Sequence, residues 1–283
     1  MAVPEDSHTL EAVLQAAEEG YVKPFLVGSS DRIHAVAEEI GRQVDEQMIV
    51  HVPEPMEAAH KAVALVREGQ ADFLMKGSLN TSEILRAVLN KETGLPRGNL
   101  VTLMAPTELP GYHKLVVICD GGIIPYPTLE QKAQQIRMVV GAMHALGYGD
   151  DIKVGVLCAT EAPNPKIVES ADAVELKRMN QTGEISGCIV EGPISLDIAL
   201  RPEIAKAKHF ESPVAGDVDV LLMPNLVTDN VYSKSIEMIG AKPLGIVLGA
   251  SCPITVVSRA APTELKYSAL LFASAMVGAG EEK

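Results

Sequence analysis

The chain has 283 residues, 47% of them hydrophobic and 22% charged, the balance of a globular protein with a large core rather than a disordered one. That length suits two modest α/β domains better than one. The 37 acidic residues outnumber the 24 basic ones, giving a formal charge of −13, and no Lys/Arg stripe interleaved with aromatics breaks the pattern, which excludes nucleic acid as the expected partner.

Glu5 and Asp6 stand where a secretory leader would carry basic residues, and the apolar stretch 267–279 is shorter than the roughly 20 residues that span a bilayer. A cytoplasmic location without a membrane partner is expected. Cys119, Cys158, Cys188 and Cys252 lie far apart with no CxxC pair, so they read as reduced thiols in apolar surroundings, and no metal site is expected.

Short apolar or β-branched runs recur at 25–27, 48–50, 73–75, 100–103, 115–119, 154–157, 188–190, 220–223, 245–248 and 254–257. Each has the length and character of a buried strand centre. Helical spacing lies between many of them. It is clearest after Pro127, where Leu129, Ala133, Ile136, Val140, Met143 and Gly147 share one face and Thr128 with Gln131 forms a capping box. Alternating strands and helices predict parallel or mixed sheets. The loop Asp120-Gly-Gly-Ile-Ile-Pro-Tyr-Pro127 looks like a domain crossing, and a second crossing is expected at 249–253. The first domain would then span 1–127 plus 250–283 and the second 128–249.

Ligands of open α/β sheets sit beyond the carboxyl ends of strands, which directs attention to three segments. In 72–88, Lys76 ends a strand just before a helix that starts near Asn80 or Thr81, with Arg86 further along it. A lysine beside a helix N-terminus makes an anion site, although a plain capped helix with solvated cations explains the same residues. In 256–260 a strand delivers Ser258 and Arg259. Arginine can hold a phosphate with paired donors, and a serine hydroxyl can donate to a developing oxyanion. The third segment runs from Glu191-Gly-Pro through Asp197 to 212–226 and on to Asn230 and Lys234. There Asp197 could orient a substrate or a basic partner, or the segment could serve only turns and caps.

Taken in order, KGSLNTSEILRAVLNKETGL, DGGIIPYPTLEQK, EAPNPKI, GCIVEGPISLDIAL, SPVAGDVDVLLMPN and VVSRA resemble the phosphate acetyl/butyryltransferase family, closest to its butyryltransferase branch, over 24–273. The resemblance implies a fold similar to isocitrate and isopropylmalate dehydrogenases: two α/β domains, an interdomain cleft, a C-terminal segment returning to the first domain, and a homodimer or higher homo-oligomer. It implies reversible transfer of a short acyl group between coenzyme A and phosphate, by direct attack of the CoA thiolate on acyl phosphate. CoA is then a substrate and no tightly bound cofactor is required. Arg259 would hold phosphate and Ser258 would steady the oxyanion. Arg86 would lie beside CoA, and Asn164, Lys166, Asn225 and Asn230 would line the acyl-phosphate pocket.

Two positions depart from the family pattern. Where the acetyltransferase branch has an Asp that takes the thiol proton, this chain has Leu265, preceded by Glu264, which leaves the base open: a thiol needs only modest help, and Glu264, Asp197 or the cationic field of Arg259 would suffice. Thr228-Asp229-Asn230 replaces the usual Ala-Gly-Asn. Asp229 would repel phosphate if it pointed inward, and would be harmless if it pointed to solvent. Two other readings fit parts of the pattern. One is a non-catalytic acyl-CoA or acyl-phosphate binding protein that lacks the base. The other is an NAD-dependent decarboxylating dehydrogenase holding a metal on Asp217 and Asp219.

Overall fold

The computed structural model describes residues 1–98 and 100–281. In chain order the elements begin with α1 (Ser7–Glu18), β1 (Leu26–Gly28), α2 (Ser30–Glu39), β2 (Ile49–His51), α3 (Pro55–Arg67), β3 (Leu74–Met75) and α4 (Thr81–Val88). They continue through β4 (Thr102–Glu108), β5 (Val116–Cys119), α5 (Leu129–Ala145), β6 (Ile152–Leu157), α6 (Val168–Gln181), β7 (Cys188–Ile194), α7 (Leu196–Leu200) and α8 (Pro202–Ala207). The chain ends with β8 (Val220–Leu222), α9 (Leu226–Glu237), β9 (Lys242–Pro243), β10 (Ile246–Leu248), β11 (Ile254–Thr255) and α10 (Thr263–Glu281). It is an α/β protein of two compact units, Met1–Val101 with Leu244–Lys283 and Thr102–Pro243.

In the first unit β1 pairs with β2 in parallel, Val27 opposite Val50. Strand β11 lies between β3, its parallel neighbour, and β10, its antiparallel one. The N-terminal residues tie these strands together: Ala2 donates to the Met75 carbonyl at 2.9 Å and Val3 to that of Val27 at 2.8 Å. This close passage explains Gly77, since a Cβ there would lie 2.1 Å from the Val3 carbonyl oxygen. Helix α10 packs on α1, and Leu10, Leu26, Ile33, Met75 and Leu270 form one buried cluster.

In the second unit the strands run β4-β5-β8-β6-β7, with β9 on the other side of β4. The β4–β5 pair is antiparallel, while β5–β8, β8–β6 and β6–β7 are parallel. The expected capping box forms at α5: Thr128 Oγ1 accepts from Gln131 N at 3.3 Å, and Gln131 Oε1 accepts from Thr128 N at 2.9 Å. Of the face that the helical spacing predicts, Ala133, Ile136, Val140 and Met143 are buried, whereas Leu129 is half-buried and Gly147 is exposed past the helix end at Ala145. Strand β7 continues past residue 190 to Ile194 through Pro193, which an edge strand tolerates because a missing N–H there breaks no ladder bond.

Residues 102–127, read from sequence with the first domain, hydrogen-bond into the sheet of the second unit through β5, where Ile118 faces Leu221. The Asp120–Pro127 loop thus lies inside a unit. Its glycines and prolines turn the chain from β5 into α5 rather than linking two bodies.

Candidate active site

In the first unit, β3 carries Lys76 into the interior, where it is 5% exposed and donates from Nζ to the carbonyls of Leu79 at 3.1 Å and Gly77 at 3.3 Å. Burial, with the charges of Lys266 and Arg259, pulls its pKa from the usual 10.5 to about 8. Strand β11 leads to Ser258 and Arg259, both exposed. Arg259 donates from Nη2 to Oδ1 of Asn80, the residue that caps α4, at 3.1 Å.

Lys266, 3% exposed in the first turn of α10, supports this group from behind. It donates to Thr9 Oγ1 at 2.8 Å, Asp6 Oδ1 at 2.9 Å and the Arg259 carbonyl at 3.1 Å. Asp6 also accepts from the Ser78 hydroxyl at 2.9 Å and caps α1 through Thr9 N. Burial opposes its ionisation, but the bonds from Thr9 and Lys266 prevail and hold its carboxyl below the usual range. Three cations thus gather near the N-terminus of α4, an arrangement suited to an anion in an acidic protein. Arg86 is exposed on the same helix and Glu264 is exposed two residues before Lys266. Lys266 was not legible as a site residue, although a lysine set in the apolar pattern of α10 was a signal.

The second unit holds the other expected residues. A cavity of about 750 Å³ lies where β6, β8 and β7 end, lined by Leu157–Ala159, Met223–Asn225, Leu196, the start of α6 and one face of α9. Asn225 is part of this lining and caps α9, its side-chain oxygen accepting from Thr228 N and Thr228 Oγ1, both at 3.0 Å. Asn164 and Lys166 sit in the loop just before Ile167, another lining residue, and Asn164 Oδ1 accepts from Lys166 N at 3.0 Å. Asn230 is exposed on α9 and is not part of the lining.

Asp197 lies apart from the lining. It accepts from Ser195 Oγ at 2.6 Å and pairs with Lys208 at 3.0 Å, and the Ser195 and Lys208 contacts hold its carboxyl below the usual range. Such a carboxylate is a weak proton acceptor.

Asp229 does not point to solvent. It is 0% exposed, and neither carboxylate oxygen has a hydrogen-bond partner. The nearby Ser233 side chain favours the charged form, but it does not prevail. Burial, with the Asp120 charge added, pushes its pKa up to about 7.

Asp217 and Asp219 do not form an open metal pair. Asp217 is held by Lys153, by Lys114 at 2.9 Å and by His113 at 2.8 Å, and Asp219 by Lys114 at 2.6 Å. Cys119, Cys188 and Cys252 are buried free thiols, with burial raising the pKa of each. Cys158 is half-buried in the cavity wall. None of the described helices is long and apolar enough to cross a membrane.

A cationic group at a helix N-terminus and an apolar cavity at strand ends are the parts needed by an α/β enzyme that handles an anion bearing an apolar group. The family model described as phosphate acetyl/butaryl transferase matches residues 52–274. Phosphate butyryltransferase of Clostridium acetobutylicum is 39% identical over 98% of this chain and 92% of its own. Phosphate acetyltransferase of Thermotoga maritima is 35% identical over 94% and 90%. The crystal structure of a branched-chain phosphotransacylase from Enterococcus faecalis V583 superposes with a TM-score of 0.84 at 28% identity, covering 98% of this chain and 97% of that one. The chain belongs to the phosphate acetyl/butyryltransferase family.

Proposed function

We propose that the protein transfers a short acyl group reversibly between coenzyme A and inorganic phosphate. Family membership along nearly the whole chain supports this, and the observation that carries it is the cluster of Lys76, Arg259 and Lys266 at the start of α4. In the direction that forms acyl-CoA, the CoA sulfur attacks the carbonyl carbon of the acyl phosphate. The C–S bond forms, a tetrahedral oxyanion accepts from Ser258, and the C–O bond to phosphate breaks with the leaving dianion held by Arg259. No acyl-enzyme is formed, and CoA acts as substrate rather than resident cofactor.

The thiol proton goes to Glu264 in this reading, because Asp197 is committed to Ser195 and Lys208. A thiol of pKa near 8.5 needs only modest help. Arg86 serves the phosphates of CoA, while Asn164, Lys166, Asn225 and Asn230 serve the acyl phosphate. The kinship to isocitrate and isopropylmalate dehydrogenases, the interdomain cleft, the homo-oligomer and the cytoplasmic location belong to the same reading.

The test follows CoA release from acetyl-, propionyl- and butyryl-CoA with a thiol reagent, with and without phosphate. Phosphate-dependent release is expected. No release from any thioester would leave an acyl-CoA binding protein without turnover.

A further inference from the structure

The first unit holds a cavity of its own, of about 460 Å³. Its wall comes from three places: the end of α3 with the turn that follows, the loop after α4, and the loop between β10 and β11. Asp72 precedes β3 and Cys252 precedes β11, whereas Lys76 and Arg259 follow those same two strands. The cavity therefore lies at the amino ends of a parallel pair whose carboxyl ends lead to the cationic group, and it is a separate site. Backbone bonds set its wall in place. Gly69, with a φ of 70°, closes α3 by donating to the Val66 carbonyl at 3.0 Å. Leu95 donates to the Val88 carbonyl at 2.8 Å, and Ser251 to the Leu95 carbonyl at 2.8 Å, which ties the two loops together.

Arg67 and Asp72 both line this space and both are exposed. Among the described residues neither side chain makes a hydrogen bond or an ion pair, with the other or elsewhere. Leu95 and Cys252 are buried beside them, 3% and 8% exposed, and Val66 and Pro96 extend the apolar part of the wall. A simple anion entering here would face Asp72 and a simple cation would face Arg67, so each is opposed by half of the site. A molecule that carries both charges is opposed by neither.

We infer that this cavity binds a free α-amino acid with a small apolar side chain, its carboxylate on Arg67 and its ammonium on Asp72. The guanidinium offers paired donors that match a carboxylate, and the negative end of the α3 dipole favours an ammonium. The side chain of the ligand then covers Leu95 and Pro96. A space of about 460 Å³ is within the range of a small-molecule pocket. The inference is independent of the acyltransferase reading.

The experiment is calorimetric titration of the whole protein with L-valine, beside L-valinamide, which lacks the carboxylate charge, and N-acetyl-L-valine, which lacks the ammonium. Saturable binding of L-valine is expected with a Kd of about 1 mM or tighter, and each analogue binds about tenfold more weakly or worse. Arg67→Gln and Asp72→Asn are exposed substitutions that are expected to fold, and each weakens L-valine about tenfold. Arg67→Gln also narrows the gap between L-valine and L-valinamide, which a merely structural effect would not do. No saturable heat with L-valine overturns the inference. So does L-valinamide or N-acetyl-L-valine binding as tightly as L-valine, or L-valine binding that survives both substitutions.

Discussion

Arg259 is held against Asn80 by a 3.1 Å hydrogen bond from Nη2 to the side-chain oxygen, joining the loop after β11 to the start of α4. The bond fixes one end of the guanidinium fork, which in the proposed reaction holds the phosphate. Arg259→Ala is expected to lower kcat/KM on the order of 100-fold, because a charge-assisted contact to the transferred group is lost. Asn80→Ala keeps the charge but loses its orientation, and with it the cap of α4, so a drop of roughly fivefold is expected together with a stability loss of about 1 kcal/mol. Steady-state kinetics in phosphate decide this, and an Arg259→Ala enzyme within about threefold of the parent would remove Arg259 from the phosphate site.

Lys76 gives this site a pH dependence. Its pKa of about 8 means that the free protein carries the charge at neutral pH and loses it as pH rises through 8. If that charge helps bind phosphate or CoA, kcat/KM falls on the alkaline side with a midpoint near 8, and the limb in kcat lies higher because a bound anion stabilises the ammonium. Lys76→Met is expected to have lower activity and no such limb. A limb that survives the substitution would belong to another group.

The sequence was informative where a local rule decides the outcome. The Thr128–Gln131 box, the start of α4 at Asn80 and most strand centres follow from spacing and capping within a few residues. Membership of units does not, because it depends on which distant strand a segment joins. Residues 102–119 are placed by the pairing of Ile118 with Leu221, about 100 positions away, and the two prolines at 125 and 127 outweighed it in a local reading. Lys266 and Asp229 were obscured for a related reason. Nothing nearby in the chain announces that a lysine will meet Asp6 and Thr9 across 260 and 257 positions, or that a carboxylate will be enclosed without a partner.

Asp229 is a stability prediction with a definite sign. Its folded pKa of about 7 lies above the ordinary 3.8, so the folded protein keeps a proton that the unfolded chain has already released. Its contribution is therefore complete below about pH 4 and is lost as pH rises to about 7, by roughly 4 kcal/mol at most. Asp229→Asn removes the ionisation. It is expected to match the parent near pH 4 and to exceed it at pH 8 in denaturant midpoint. A parent stability that does not fall between those pH values would show that the carboxylate is stabilised by another route.

Glu264 as the base predicts a change of profile rather than a loss of folding. Glu264→Gln leaves thiolate formation to solution ionisation, so the optimum moves upward toward the thiol pKa of about 8.5. An unchanged profile rejects Glu264.

Lys266 joins stability and chemistry in a single variant. It is 4% exposed at its side chain and pairs with an Asp6 that is 25% exposed, so Lys266→Met strands a partly buried carboxylate. Breaking a buried pair costs 3–5 kcal/mol, and the exposure of Asp6 puts the expected loss near 3. That loss alone would fit any structural lysine. The charge of Lys266 also depresses the pKa of Lys76, second only to burial. Removing it makes the Lys76 ammonium easier to keep, and the alkaline limb of kcat/KM moves above 8, toward but not reaching 10.5, because burial still opposes the charge. A variant that is less stable but whose limb stays near 8 would separate the two lysines electrostatically. A limb that moves upward would establish that α10 sets the charge of the anion site.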